Sequence, residues 1–140
     1  MGCVLRAIGT EFDVDAFLKD SPLSTEPAFR RGEPRVPGLP NGPARAASGF
    51  NVAVSQAGLD DLSAQVEDAL RFLDENEDEL RRLAAFPGVE EVCLDFAVRR
   101  RDVVAQSDLL PAELLWRAGA LDIDLVLTHY AISEAAAERC

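Results

Sequence analysis

The sequence predicts an α+β fold: a two-layer sandwich in which one sheet of four or five strands carries two main helices on one face. Three observations lead there. Short apolar runs of strand type recur at 3–8, 50–55, 89–98 and 123–130. Between them lie two longer segments, 59–84 and 111–121, whose apolar residues recur every three or four positions. The two kinds interleave along 140 residues that are 48% hydrophobic, enough for one domain with one core and too few for two.

Taken in order, Cys3 to Ile8 is partly β-branched and closed by Gly9, so it opens the sheet. Asp13 to Lys19 has an acidic start and a basic end, which suits a short helix that Pro22 stops, with Phe17 and Leu18 turned inward. From 22 to 48 the chain holds six of the eight prolines and few apolar residues, so it is a long loop, with an edge strand near Ala28–Arg31 as its one regular piece. This loop carries +2 while the rest of the chain carries -13, and such a basic flap can fold back onto the acidic body.

Phe50 to Ser55 alternates, placing Phe50, Val52 and Val54 on one face and Asn51, Ala53 and Ser55 on the other. Leu59, Leu62, Val66, Ala69, Leu70 and Leu73 form one stripe of an amphipathic helix that opens near Asp60–Asp61. Asn76 followed by Glu79 reads as a capping box, so a break is expected near Asp74–Asn76 before Leu80, Leu83 and Ala84 resume the stripe and Pro87–Gly88 ends it. In the strand 89–98, Val92, Leu94, Phe96 and Val98 face one way and Cys93, Asp95, Ala97 and Arg99 the other. Pro111 starts a helix with Leu114, Leu115, Ala118 and Leu121 on its apolar side, Ile123–Tyr130 is a last strand, and Ser133–Arg139 a terminal helix. Helical crossovers allow parallel neighbours and a split-βαβ or ferredoxin-like arrangement, although strand order does not follow from sequence.

Composition excludes several function classes. Acidic residues outnumber basic ones 25 to 14, a net charge of -11 that opposes binding to nucleic acid or anionic lipid and favours a basic protein partner. No run approaches the ~20 apolar residues of a membrane helix, and the first residues lack the pattern of a signal peptide, so a soluble, cytoplasmic protein is expected. Cys3, Cys93 and Cys140 are too scattered for a disulfide framework or a zinc site, and His129 is the one histidine, which argues against multi-histidine metal centres. No metal and no cofactor is expected. Gly32, Gly38 and Gly42 are separated by prolines, which lack the N–H groups a phosphate cradle needs.

The stretches "SGFNVAVS", "QVEDALRFLDENEDELRRL", "FPGVEEVCLDFAV" and "DLLPAELLWRAG" together resemble an uncharacterised family of small bacterial proteins known only as a domain of unknown function. The resemblance spans roughly residues 48 to 130 and implies a scaffold, since packing, capping and turns account for those positions; it carries over no catalytic residue.

Candidate chemistry therefore rests on the polar side of the sheet. Arg6, Asn51, Asp95, Arg99 and Tyr130 are the candidate ligand-binding residues, with Thr128 beside them, and a cover by loop 22–48 would make a pocket there. Asp95 stands mid-strand and needs a partner if covered, which Arg6, Arg99 or Tyr130 can supply. Arg99–Arg101 is a strand exit whose guanidinium groups stay in water or pair with the acidic helix, and Asp60 to Arg82, with nine acids and three arginines, is the strongest negative surface. The leading expectation is a non-enzymatic binding or protein-interaction domain, with a protein partner or a second copy of itself; an acidic antitoxin or immunity-type protein is one version. The alternative is a small enzyme or small-molecule-binding protein with its pocket between the polar sheet face and the loop.

Overall fold

The computed structural model describes residues 2–131. Among the described residues it contains an open mixed sheet of four strands and four helices, an α+β fold. The strands are β1 (Cys3–Gly9), β2 (Ser48–Ser55), β3 (Glu91–Arg99) and β4 (Asp124–Tyr130), in the order β2-β1-β3-β4. β1 is antiparallel to both β2 and β3, and β3 is parallel to β4. β2 and β3 are both antiparallel to β1, which lies between them, so the two are parallel to each other and, joined through the helical stretch 62–85, form the expected split-βαβ unit; β4 adds as a direct parallel neighbour of β3. The expected terminal helix at Ser133–Arg139, and Cys140, lie outside the described residues.

The helices are α1 (Val14–Lys19), α2 (Leu62–Glu75), α3 (Glu77–Ala85) and α4 (Ala112–Ala120). Aspartates open the first two: Asp13 Oδ1 accepts from Ala16 N and Asp61 Oδ1 from Ala64 N, both at 3.1 Å. The expected break falls at Asn76, but without the capping box. Asn76 instead donates from Nδ2 back to the Phe72 carbonyl at 3.0 Å, so it closes α2 rather than capping α3.

Alternate strand residues and the apolar helix stripes share one core. Leu5, Ala7, Phe50, Val52, Leu94 and Phe96 are buried together with Val66, Ala69 and Leu73 of α2, Leu80 and Leu83 of α3, and Leu114 and Ala118 of α4. Leu115, expected among them, is exposed, because Leu114, Ala118 and Leu121 already complete the inward side of α4. Ser55 also departs from its expected face. A register shift between Cys3 and Val4 breaks the alternation at Val54, so Ser55 is buried and its Oγ donates to Asp68 Oδ2 on α2 at 2.6 Å.

Two polar side chains tie helices to other elements. Gln65 is fully buried, and its Nε2 donates to the carbonyls of Gly58 and Ala97, each at 2.9 Å, tying the start of α2 to the end of β3. Gly2 makes room for it, since a Cβ there would lie 2.7 Å from Gln65 Cδ. Arg82 of α3 stacks 4.0 Å above the Phe17 ring, donates to the Phe17 carbonyl at 2.8 Å, and bonds Glu79 Oε1 at 2.6 Å. Phe17 in turn stacks on Phe50 with ring centroids 5.6 Å apart, so α1, α3 and β2 meet there.

Burial alone raises the pKa of the Glu79 carboxyl, but hydrogen bonds from Arg82 and Ser21 outweigh it and hold the group below its ordinary value of 4.5. A depressed folded pKa contributes stability that is present above 4.5 and lost as pH falls through the folded value. Glu79→Gln should therefore weaken the protein at pH 7 and leave the variant less sensitive to acid than the wild type. Urea unfolding followed at pH 7 and at pH 3 checks this; an equal loss at both would show that the charge is immaterial.

Candidate functional site

The polar side of the sheet comes together only in part. Arg6 of β1 lies opposite Asn51 on β2 and Cys93 on β3, and its Nη2 reaches Asp95 Oδ2 at 3.5 Å. From β4, Thr128 Oγ1 donates to Asp95 Oδ1 at 2.6 Å. Asp95 is thus satisfied from two strands, with Thr128, not Arg99 or Tyr130, as its close partner. The Oδ1 of Asn51 is buried and has no donor among the described residues, which costs about 1–3 kcal/mol.

Arg99 and Tyr130 belong elsewhere. They face each other across β3 and β4, four positions beyond Asp95, about 13 Å along the strand. The Nε of Arg99 bonds Asp60 Oδ1 at 3.2 Å, just before α2, so the first arginine of the triplet pairs with the acidic helix region. Arg100 and Arg101 are exposed in the exit, and the Arg100 amide continues the pairing by donating to the Tyr130 carbonyl at 2.9 Å.

The proline-rich segment lies mainly along the outer edge of β2. Phe29 pairs with Gly49 through both backbone hydrogen bonds, and Glu26 N donates to the Asn51 carbonyl at 2.9 Å. Its arginines do fold back: Arg30 grips Asp15 of α1 with two hydrogen bonds, at 2.8 and 2.6 Å, and Arg31 pairs with Glu11 at 2.9 Å. The hydrogen bond from Arg30 holds Asp15 below the usual carboxylate range. The Phe29 ring sits over Gly49 beside Ile8, with the Arg45 guanidinium 4.4 Å above it, so the segment touches one corner of the sheet face. None of its hydrogen bonds among the described residues reaches Asp95, Thr128 or Arg99.

A second surface emerges between α2 and α4. Two cavities follow one another along these helices. One, of about 610 Å³, is floored by Leu62, Val66 and Leu70, walled by Leu109 and Pro111, and edged by Asp60, Glu67, Asp108 and Glu113 with Arg101 among them. The next, of about 260 Å³, has Leu73 and Leu121 as its floor and Trp116 at its lip. Within this second cavity an ion pair between Arg117 and Asp74, at 3.6 Å, crosses from α4 to α2, and Arg117 also pairs with Glu113 at 3.8 Å. Leu109 and Trp116 are 78% and 73% exposed.

Loop 100–110 forms one wall of the groove and is fastened through Gln106, which donates to the Arg99 carbonyl at 3.2 Å and accepts from Arg101 N at 2.8 Å. His129 lies 3.4 Å from Asp108 at the same end. Sequence reasoning found the acids of this surface but not the groove. The available signal was on α4, where Trp116 falls off the stripe of Leu114, Ala118 and Leu121 and must face outward.

Among the described residues no group of three potential metal ligands gathers, and no helix is long and apolar enough to cross a membrane. Compared with protein-family models, curated proteins and solved structures, the chain matches none of them.

The two described cysteines are poor nucleophiles. Burial, reinforced by the charge of Asp95, pushes the Cys3 thiol far up, and burial also raises Cys93 although Arg6 opposes it. Iodoacetamide at pH 8 should modify neither in the folded protein and both in denaturant, read by peptide mass mapping; rapid labelling of folded Cys93 would show that the sheet face opens. For Asp95, a double-mutant cycle with Thr128→Val should return a coupling of ~1–3 kcal/mol, and a cycle with Arg6→Ala less than ~1 kcal/mol, since that pair is longer and more exposed. The reverse ranking in chemical denaturation would make Arg6 the principal partner.

Proposed function

We propose that this protein is a non-enzymatic, cytoplasmic interaction domain whose acidic helical surface docks a basic protein partner. The groove between α2 and α4 is the observation that carries this reading. Its floor is aliphatic, its rim at the larger cavity carries Asp60, Glu67, Asp108 and Glu113 against the single cation Arg101 among the described residues, and Leu109 and Trp116 stand largely in water beside it. Large apolar side chains gathered in a polar-rimmed depression are what a partner covers on binding.

In this reading the body is a two-layer sandwich. One side of the sheet receives the helices, and the groove is the outward surface of the helical layer. The side carrying Arg6, Asn51 and Asp95 turns away from it and serves mainly to hold the strands in register. A net charge of -11 steers a basic partner toward the groove, whereas a second copy would bring like charges together at the same rim. A protein that masks a positively charged surface, as an antitoxin or immunity protein does, is one concrete form. The resemblance to an uncharacterised bacterial family fits this reading as a scaffold and assigns no chemistry to it.

The test is affinity purification from cell extract with three full-length baits: wild type, Glu67→Lys/Glu113→Lys, and Asp95→Ala. The wild type and Asp95→Ala should hold the same partner at low salt and release it at high salt, while the charge-reversed bait should bind it at least ~10-fold less. Recovery of nothing by the wild type, or equal recovery by the charge-reversed bait with its fold verified by circular dichroism, would overturn the proposal.

A further inference from the structure

We infer that the segment seated in the α2–α4 groove is an amphipathic helix of the partner, with aliphatic residues on one face and Lys or Arg side chains one heptad apart beside them. The inference rests on the reading of this groove as the docking surface and goes further by fixing the conformation and charge spacing of the occupant.

The spacing of the groove's own residues carries it. Leu62, Val66, Leu70 and Leu73 recur along α2 at intervals of four, four and three over about 16 Å, with Leu62 and Leu70 part-exposed and Val66 and Leu73 buried at the base of the two cavities. Glu67 and Asp74 lie on α2 beside that row, seven residues apart, which puts their backbone positions about 10.5 Å apart along the axis. Across the groove Glu113 lies in the first turn of α4, and Asp60 and Asp108 close the mouth with Arg101 beside them, an excess of carboxylates over cations.

A third helix laid along α2 repeats its facing positions every seven residues, so its cations arrive at the same ~10.5 Å interval and its aliphatic row lies over the leucines. An extended strand repeats a face every ~6.8 Å; its cations fall at ~6.8 or ~13.6 Å and meet both carboxylates only by bending their side chains along the groove. A basic side chain entering beside Asp74 competes with Arg117, whose ion pair with it is long at 3.6 Å and whose partner carboxylate is 68% exposed. Such a pair is weak and is exchanged at little cost. Trp116 then caps the far end, where its ring offers both apolar area and a face for a cation.

The experiment uses the full chain and fluorescein-labelled synthetic peptides, read by anisotropy. The first probe is a helix-forming peptide with a leucine row and lysines seven residues apart beside it. The second has the same composition with the lysines moved to the opposite face, the third replaces the lysines by glutamates, and the fourth is proline-rich with the first probe's charge spacing. The first should bind at least ~10-fold tighter than each of the others, gain helical circular dichroism on binding, and weaken with salt and with Glu67→Lys or Leu109→Asp.

Equal binding of the first, second and fourth probes would overturn the helical register while leaving the groove as a basic docking surface. Failure of every basic probe, with a partner still lost by the charge-reversed bait, would overturn the inference alone; failure of both experiments would remove the reading beneath it. Two outcomes would assign a different occupant and also overturn it: a dimer in sedimentation that Leu109→Asp dissociates, or binding of the first probe only after residues 132–140 are removed.

Discussion

The antiparallel pairing of β1 with β3 is the contact on which the remaining architecture hangs. Leu5 lies opposite Leu94 at the middle of it, both fully buried, and the two strands are separated by more than eighty residues of chain. Closing so long a loop costs entropy that only the assembled core returns. β2 then adds to the free edge of β1 and β4 to that of β3, and the helices find one continuous apolar floor. Where this pair ends, backbone meets backbone: a Cβ at Gly9 would lie 1.8 Å from the Gly88 carbonyl oxygen, and Gly88 itself sits at φ +87°. Both positions need glycine because the turn after α3 must pass that close to β1.

The polar groups divide into those that finish the fold and those left over. Gln65, Arg82, Asp68 and Asp95 each meet partners from other elements, and they act as fasteners between helices and strands. The proline-rich segment does similar work. By pairing Phe29 with Gly49 and latching Arg30 and Arg31 onto Asp15 and Glu11, it covers part of the β2 edge, which would otherwise offer unpaired backbone groups to another chain. Its prolines suit that role, since they cannot propagate a further strand.

What is left over lies between α2 and α4. Leu109 and Trp116 gain little from the fold in their exposed positions, and the carboxylates near them exceed the cations, with Asp60 and Asp74 held only by exposed ion pairs to Arg99 and Arg117. A stability argument gives no reason for either, and a partner that is both basic and apolar gives a reason for both. On the sheet face Asp95 is satisfied within the fold, whereas on the helical surface Leu109 and Trp116 are left exposed beside an excess of carboxylates.

Periodicity made the strands, the helices and the position of the α2–α3 break legible, because alternation and the 3.6-residue repeat are properties of neighbouring residues. The acidic surface was legible for the same reason, and so was the pairing of the arginine triplet with it through Arg99. Other features depended on residues far apart in the chain. The bulge that turns Ser55 toward Asp68, the choice of Thr128 over Arg99 as partner for Asp95, and the separation of Tyr130 from Arg6 all follow from strand register, which is set by packing across the sheet. The sequence by itself determined which residues are apolar at which spacing, and hence the α+β class and the sign of the surface charge. Only the tertiary structure decided the order β2-β1-β3-β4, the place of the proline-rich segment and the groove between α2 and α4, because each is a relation between segments that no local preference encodes.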